Sequence, residues 1–223
     1  MNHNPVLSHS SASSSTAVNK VIRNTYSLLS MTLLFSAGMA TLSMALNMPP
    51  ITYIVSIIVA FLLIWFALPR TANSATGLGV VFAITGLMGF AIGPLLNIYL
   101  SMPNGSSIVA TAMGGTGAIF LALSAYALTT RKDFSFMGGF LVTGILVILL
   151  AALANIFLQM PLMSLMISSV VILLMSGFIL YDTSRMIHDP STNYILMTVS
   201  LYVNIFNIFV NLLQILGITS SDD

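Results

Sequence analysis

Asp182 and Arg185 lie where a long apolar run meets its polar end, and their types and spacing could support chemistry. The run covers residues 162–188 and reads LMSLMISSVVILLMSGFILYDTSRMIH. The two side chains are three positions apart, so a helix would place them on one face. An ionisable group at membrane depth is costly, so it normally faces other helices, pairs with a partner and marks a functional site. The alternative is that Asp182 lies at the membrane interface while Arg185 extends to the lipid headgroups.

Several features argue against catalysis. Asp182 is the only acidic residue joined directly to an apolar run, whereas an intramembrane aspartyl protease needs two carboxylates. His188 is expected in a loop rather than inside the membrane, and no nucleophile elbow surrounds Ser176. Because the chain has no cysteine and no glutamate, thiolate nucleophiles, disulfides and an HExxH zinc site are excluded. We therefore predict a protein that is not an enzyme and has no cofactor and no metal site.

Composition defines the class of protein. Of the 223 residues, 57% are hydrophobic and only 5% are charged, whereas a soluble domain carries about 25% charged residues. The chain is therefore predicted to be an integral membrane protein in contact with the lipid bilayer. Its formal net charge is +1, and its basic residues are too scattered for nucleic-acid binding.

Seven apolar segments approach the roughly 20 residues that span a bilayer. They cover residues 26–46, 51–68, 75–100, 107–128, 136–158, 162–187 and 193–218. The connections contain turn-forming residues such as Asn47, Pro103, Pro161 and Pro190. The predicted domains are a disordered tail at 1–24, a seven-helix membrane domain at 25–218 and a short tail at 219–223, since the Ser-rich start is too polar to be buried.

The basic residues predict the orientation. With seven spans, all six fall at the same side of the membrane: Lys20, Arg23, Arg70, Arg131, Lys132 and Arg185. The positive-inside rule assigns that side to the cytoplasm. The N-terminus is then expected in the cytoplasm and the C-terminus in the periplasm.

Small residues in the third segment predict close helix packing. Gly79, Gly86 and Gly93 recur every seven residues, and Gly89 with Gly93 forms a GxxxG pattern. Such residues let helix backbones approach closely in lipid. Pro94 removes a backbone hydrogen bond and is expected to bend the segment.

The seventh segment carries a polar stripe. Its members fall on one helical face: Ser200, Asn204, Asn207, Asn211 and Gln214. Lipid offers these side chains no hydrogen-bond partners, so the stripe is expected to face the bundle and to meet Asp182. Hydrogen bonding between helices is the favoured role for the last three, whereas Asn204 could have a structural or a functional role.

Several stretches resemble the Bax inhibitor-1 family, in the same order along almost the whole chain. They are KVIRNTYSLLSMTLLFSA (20–37), GFAIGPLLNIYL (89–100), SAYALTTRKDFSFMGG (124–139), ANIFLQMP (154–161), YDTSRMIH (181–188) and TNYILMTVSLYVNIFNIFVNLLQILG (192–217). The resemblance implies an all-α bacterial inner-membrane protein with six helices around a central seventh. It also implies a partner: similar bacterial members bind the membrane-anchored ATP-dependent zinc protease FtsH and restrain its degradation of membrane proteins.

The same resemblance implies a second possible function, a pH-sensitive calcium or other cation leak. In leak-forming members an Asp of the sixth helix pairs with an Asp of the seventh, near an Arg at the end of the second. Asp182 and Arg70 match the first and third positions, but Asn204 stands at the second. Two close carboxylates share a proton, and this is how such a pair senses pH. Asp182 beside a neutral Asn204 cannot do so, although both still offer oxygen ligands for a hard cation. We take Asp182, Asn204, Arg70 and Arg185 as candidate ion-sensing or gating residues.

Overall fold

A computed structural model of the chain describes residues 6–220, with side chains from Val18 onward. Within that range, seven helices are long and apolar enough to cross a membrane. They are α1 (Val6–Ala45), α2 (Ile51–Thr71), α3 (Thr76–Leu100), α4 (Gly105–Thr130), α5 (Gly138–Leu158), α6 (Pro161–His188) and α7 (Tyr194–Ser220). A short 3-10 turn, Ser135–Met137, precedes α5. The predicted all-α, seven-span architecture is confirmed.

The connections between the helices are short and stabilised locally. Asn47, Arg131 and Gln159 follow α1, α4 and α5 with left-handed backbones, at φ of 49°, 50° and 50°. A left-handed residue after a helix lets the chain reverse and satisfies the last helical carbonyls. Short reversals of this kind make successive helices antiparallel, so alternate connections lie at the same end of the bundle.

Helix α1 starts earlier than predicted. Its backbone is helical from Val6, and its apolar part runs from Val18 to Ala45, where the sequence predicted a disordered tail to residue 24 and a span from 26. Val21 and Ile22 pack against the core, and Thr25 is fully buried. These contacts extend the helix inside the bundle by about two turns. Residues 1–5 and 221–223 of the predicted tails lie outside the described residues.

Helices α3 and α7 form the centre of the bundle. Helix α7 packs against α1, α3, α4 and α6, whereas α2 packs mainly on α3 and α5 mainly on α6. Fully buried side chains fill the space between them, among them Val81, Ile84, Leu201 and Ile208. The seventh helix is therefore central, and α2 and α5 lie outermost.

Glycines of α3 set its close contact with α1. A Cβ at Gly86 would lie 2.7 Å from Phe35 Cε1, and one at Gly89 or Gly93 would overlap Ser36 or Ser43. Glycine at these three positions therefore allows α1 and α3 to approach closely. Pro94 continues this buried face, and α3 runs through it without interruption.

The predicted packing role of Gly79 is wrong. Gly79 is exposed, and a Cβ there would meet nothing within 4 Å. The glycine repeat therefore extends beyond the part of α3 that packs against α1.

Candidate functional site

Asp182 lies inside the bundle. Only 3% of its surface is exposed, and it precedes the end of α6 by six residues, a depth of roughly 9 Å at 1.5 Å per residue. The flanking residues Thr183 and Ser184 are also buried. The sequence left Asp182 either at the membrane interface or facing other helices. In the structure it is buried and faces α7.

Two side chains of α7 bind the Asp182 carboxylate. Ser200 Oγ donates to Oδ2 over 2.6 Å, and Asn204 Nδ2 donates to the same oxygen over 3.0 Å. Ser200 and Asn204 are four residues apart, so they lie on one face of α7. A buried carboxylate is destabilising unless hydrogen-bonded, and these two donors supply that compensation. The predicted contact between the α7 polar stripe and Asp182 is therefore confirmed.

The two candidate arginines, Arg70 and Arg185, do not donate hydrogen bonds to Asp182 in the part of the chain that the structure describes. Arg185 is half-buried, with its guanidinium carbon 5.8 Å from the centre of the Tyr181 ring. Arg70 is exposed at the end of α2. Among the described residues, neither is a hydrogen-bond partner of Asp182, although Arg185, about one turn later on α6, interacts with it electrostatically. Hydrogen bonds therefore join only Asp182 and Asn204 of the predicted set.

The other side chains of the polar stripe form hydrogen bonds whose partners the sequence did not specify. Asn207 Nδ2 donates to Val203 O, and Asn211 Nδ2 donates to Asn207 O, each over 2.8 Å within α7. The expectation of inter-helical bonds is wrong for these two amide nitrogens, because each bonds a carbonyl one turn back in its own helix. Gln214 does bridge helices, since its Oε1 accepts from Ser168 Oγ of α6 over 3.1 Å.

A chain of buried hydroxyl groups, for which the sequence made no prediction, crosses the bundle centre. Tyr202 OH donates to Thr85 O of α3 over 3.1 Å, so Ser36 Oγ of α1 is the donor in its 2.5 Å bond to Tyr202 OH. This chain links α1, α3 and α7 next to the Gly89 contact. The available signal was Tyr202 itself, well inside an apolar span, because a buried phenol normally finds a hydrogen-bond partner.

The α4–α5 loop is attached to the end of α6. Ser184 Oγ accepts from Phe134 N over 2.9 Å, and His188 Nδ1 lies 2.9 Å from Ser184 O. Ser135 donates its hydroxyl and its backbone N–H to Asp133 Oδ1, and these bonds lower the pKa of Asp133 below its usual range. In the next loop, equivalent bonds from Ser191 lower the pKa of Asp189.

The fold and the site define a class: a seven-span helical membrane protein with one buried carboxylate held between its last two helices. Among the described residues, no group of three or more His, Cys, Asp or Glu side chains could hold a metal ion. The family model described as inhibitor of apoptosis-promoting Bax1 matches residues 18–221. The chain belongs to this Bax inhibitor family.

Relatives from bacteria match over nearly their whole length. The Escherichia coli (strain K12) protein named modulator of FtsH protease YccA is 52% identical over 206 residues, which are 92% of this chain and 93% of the relative. The protein named inner membrane protein YccA, from Escherichia coli O6:H1, has the same identity and coverage. A Vibrio cholerae membrane protein is 50% identical over 205 residues, 92% of each chain.

Proposed function

We propose that this protein is an inner-membrane modulator of an FtsH-type protease. It binds the membrane-anchored, ATP-dependent enzyme and restrains the degradation of membrane proteins. One observation carries the proposal: a relative named modulator of FtsH protease is 52% identical over 92% of this chain. A relative with the same identity is named as an inner membrane protein, which supports the same location here.

The geometry supports action by binding rather than by catalysis. Asp182 is the single acidic residue within the described spans, and two donors engage its Oδ2 atom. Proton transfer by a carboxylate dyad needs a second carboxylate within hydrogen-bond reach, and Asn204 occupies that position with an amide. A protein with this site can alter proteolysis by occupying a surface of the protease.

The peripheral helices offer surfaces for such binding. Helix α5 is the least buried of the seven spans, and outward side chains such as Leu150 and Phe157 are 67% and 87% exposed. Association of spans in lipid depends on side-chain packing and hydrogen bonds. The spans of a protease subunit could therefore pack on α5 without disturbing the core around α3 and α7.

A pull-down tests the binding. The tagged protein would be purified from detergent-solubilised membranes, and the co-purifying proteins identified by mass spectrometry. Enrichment of the FtsH-type protease over a tagged, unrelated seven-span protein at the same level is expected. Equal recovery of the protease with both baits would contradict the proposal.

The cation-leak alternative receives less support. In the structure Asn204 donates an amide hydrogen to Asp182, whereas the leak mechanism needs two carboxylates that share a proton. Arg70 is exposed at the end of α2. We therefore place the protease modulator first.

A further inference from the structure

A lateral cavity of about 490 Å³ lies among α1, α3, α4 and α7. Its wall is mostly apolar and includes Leu34, Ala37, Met113, Gly117, Phe206 and Phe209. It lies apart from Asp182, which does not line it. The protease proposal makes no use of this cavity, so the two can be tested separately.

The polar side chains that line the cavity are already hydrogen-bonded. Ser36 and Tyr202 bond each other, and Tyr202 also donates to Thr85 O. Thr41 Oγ1 donates to Gly38 O and Thr116 Oγ1 donates to Ala112 O, at 2.8 and 2.7 Å. A buried water needs two to four polar partners. The wall therefore favours an apolar occupant over water.

The cavity opens toward the bilayer. Its rim includes Leu34 of α1 and Met113 of α4, which are 76% and 60% exposed. Both residues lie well inside membrane spans, 11 and 8 residues from the nearer span end. An opening at that depth leads into lipid rather than into either aqueous phase.

The size of the cavity distinguishes an acyl chain from a helix. Along α1 it extends from Leu33 to Thr41, which is roughly 12 Å at 1.5 Å per residue. A membrane-spanning helix is about 30 Å long, so the cavity matches only about two turns of one. An unbranched hydrocarbon chain is thinner and can enter through the opening between α1 and α4.

We propose that this cavity binds one acyl chain of a membrane lipid. Thr41 lies four residues before the end of α1, so the cavity occupies the membrane half that contains the α1–α2 and α3–α4 connections. The basic-residue distribution assigns that half to the periplasmic leaflet. The bound chain contacts Tyr202 and Phe206 of the central helix, and it fills the gap that α1 and α4 leave beside α7.

Photolabelling tests the site. The full-length protein would be reconstituted with phosphatidylethanolamine that carries a diazirine in one acyl chain, irradiated, and mapped by peptide mass spectrometry. Labelling should concentrate on cavity residues such as Met113 and Phe209, above the level on the outward face of α5. Equal labelling of the cavity and of α5 would overturn the proposal, because it would indicate annular lipid only.

Two glycine variants of α4 provide a matched comparison. Gly117 lines the cavity and Gly114 does not, and a Cβ at either would meet nothing within 4 Å. Gly117→Phe should obstruct the cavity and lose most of the cavity labelling, whereas Gly114→Phe should keep it. Retention of the labelling in Gly117→Phe, or an equal loss in both variants, would overturn the assignment. The wild-type labelling pattern tests the proposal without either variant.

Discussion

Asn204 donates its side-chain amide to Asp182 Oδ2 over 3.0 Å, so the sixth and seventh helices meet at a carboxylate–amide pair. Ser200 donates to the same oxygen, and the carboxylate is almost completely buried. The pair contains one titratable group. It therefore lacks the repulsion between like charges that separates the two pKa values of a carboxylate dyad.

The missing second carboxylate predicts weak ion flux. Wild-type protein in liposomes should show little calcium flux, and little change in it between about pH 6 and 8, where only perturbed carboxylates titrate. Asn204→Asp should recreate the dyad and introduce a pH-dependent flux, measured with a calcium-sensitive dye inside the vesicles. Asp182→Asn is the control and should leave the weak wild-type flux unchanged. Strong pH-gated flux in the wild type, abolished by Asp182→Asn, would instead favour the cation-leak function.

The α1–α3 contact predicts opposite outcomes for two glycines of one helix. Gly89→Val forces a side chain onto Ser36, and overpacking of this kind typically costs about 1–3 kcal/mol. Gly79→Val makes the same chemical change where nothing lies within 4 Å, so it should not lower the free energy of unfolding. Denaturant unfolding of the detergent-solubilised variants measures the difference. Similar destabilisation at both positions would mean that Gly89 does not set the helix contact.

The sequence was sufficient to predict the spans and the main polar contact. Bilayer thickness imposes a minimum length on each apolar run, so the seven segments could be recognised without knowledge of their neighbours. The contact between Asp182 and Asn204 could also be predicted, because lipid offers amide side chains no hydrogen-bond partners and the polar stripe of α7 must therefore face the bundle.

Features that depend on helix rotation and spacing could not be predicted in this way. The glycine repeat indicated a contact at Gly79, but α1 meets the glycines of α3 only in its later part, at Gly86, Gly89 and Gly93. Asn207 and Asn211 bond within their own helix, an outcome that the residue types do not distinguish from bonds between helices. The lateral cavity likewise results from the separation of α1 and α4, which single-helix periodicity does not encode.

Topology gives a further prediction. All six basic residues lie at one end of the bundle, the end that contains the start of α1 and the α2–α3, α4–α5 and α6–α7 connections. The positive-inside rule places that end in the cytoplasm. A phosphatase reporter fused after Asp223 should therefore be active in the periplasm. A fluorescent reporter that folds only in the cytoplasm should be dark at the same position. The reverse pattern would rule out the orientation.

The Asp133 turn predicts an effect at low pH. Hydrogen bonds from Ser135 lower the pKa of Asp133, so the ionised carboxylate stabilises the folded loop at neutral pH. That stabilisation is lost as the pH falls below about 3.9, the ordinary pKa of Asp, and then through the lowered pKa of Asp133 in the folded protein. Asp133→Asn should reduce the Tm at pH 7, and its difference from wild type should shrink toward about pH 3. Ser135→Ala, which removes one donor, should act in the same direction with a smaller effect. A difference that grows on acidification would contradict this account.

The most direct test of the central claim is the rate at which an FtsH-type protease degrades a membrane substrate in liposomes that also contain this protein. The purified protease, a fluorescent membrane-anchored substrate and increasing amounts of the protein would be co-reconstituted, with an unrelated seven-span protein as the control for crowding. The account predicts that degradation slows as the protein is added, beyond any effect of the control, while ATP hydrolysis continues. A degradation rate that is unchanged over the whole range of protein-to-protease ratios would contradict it.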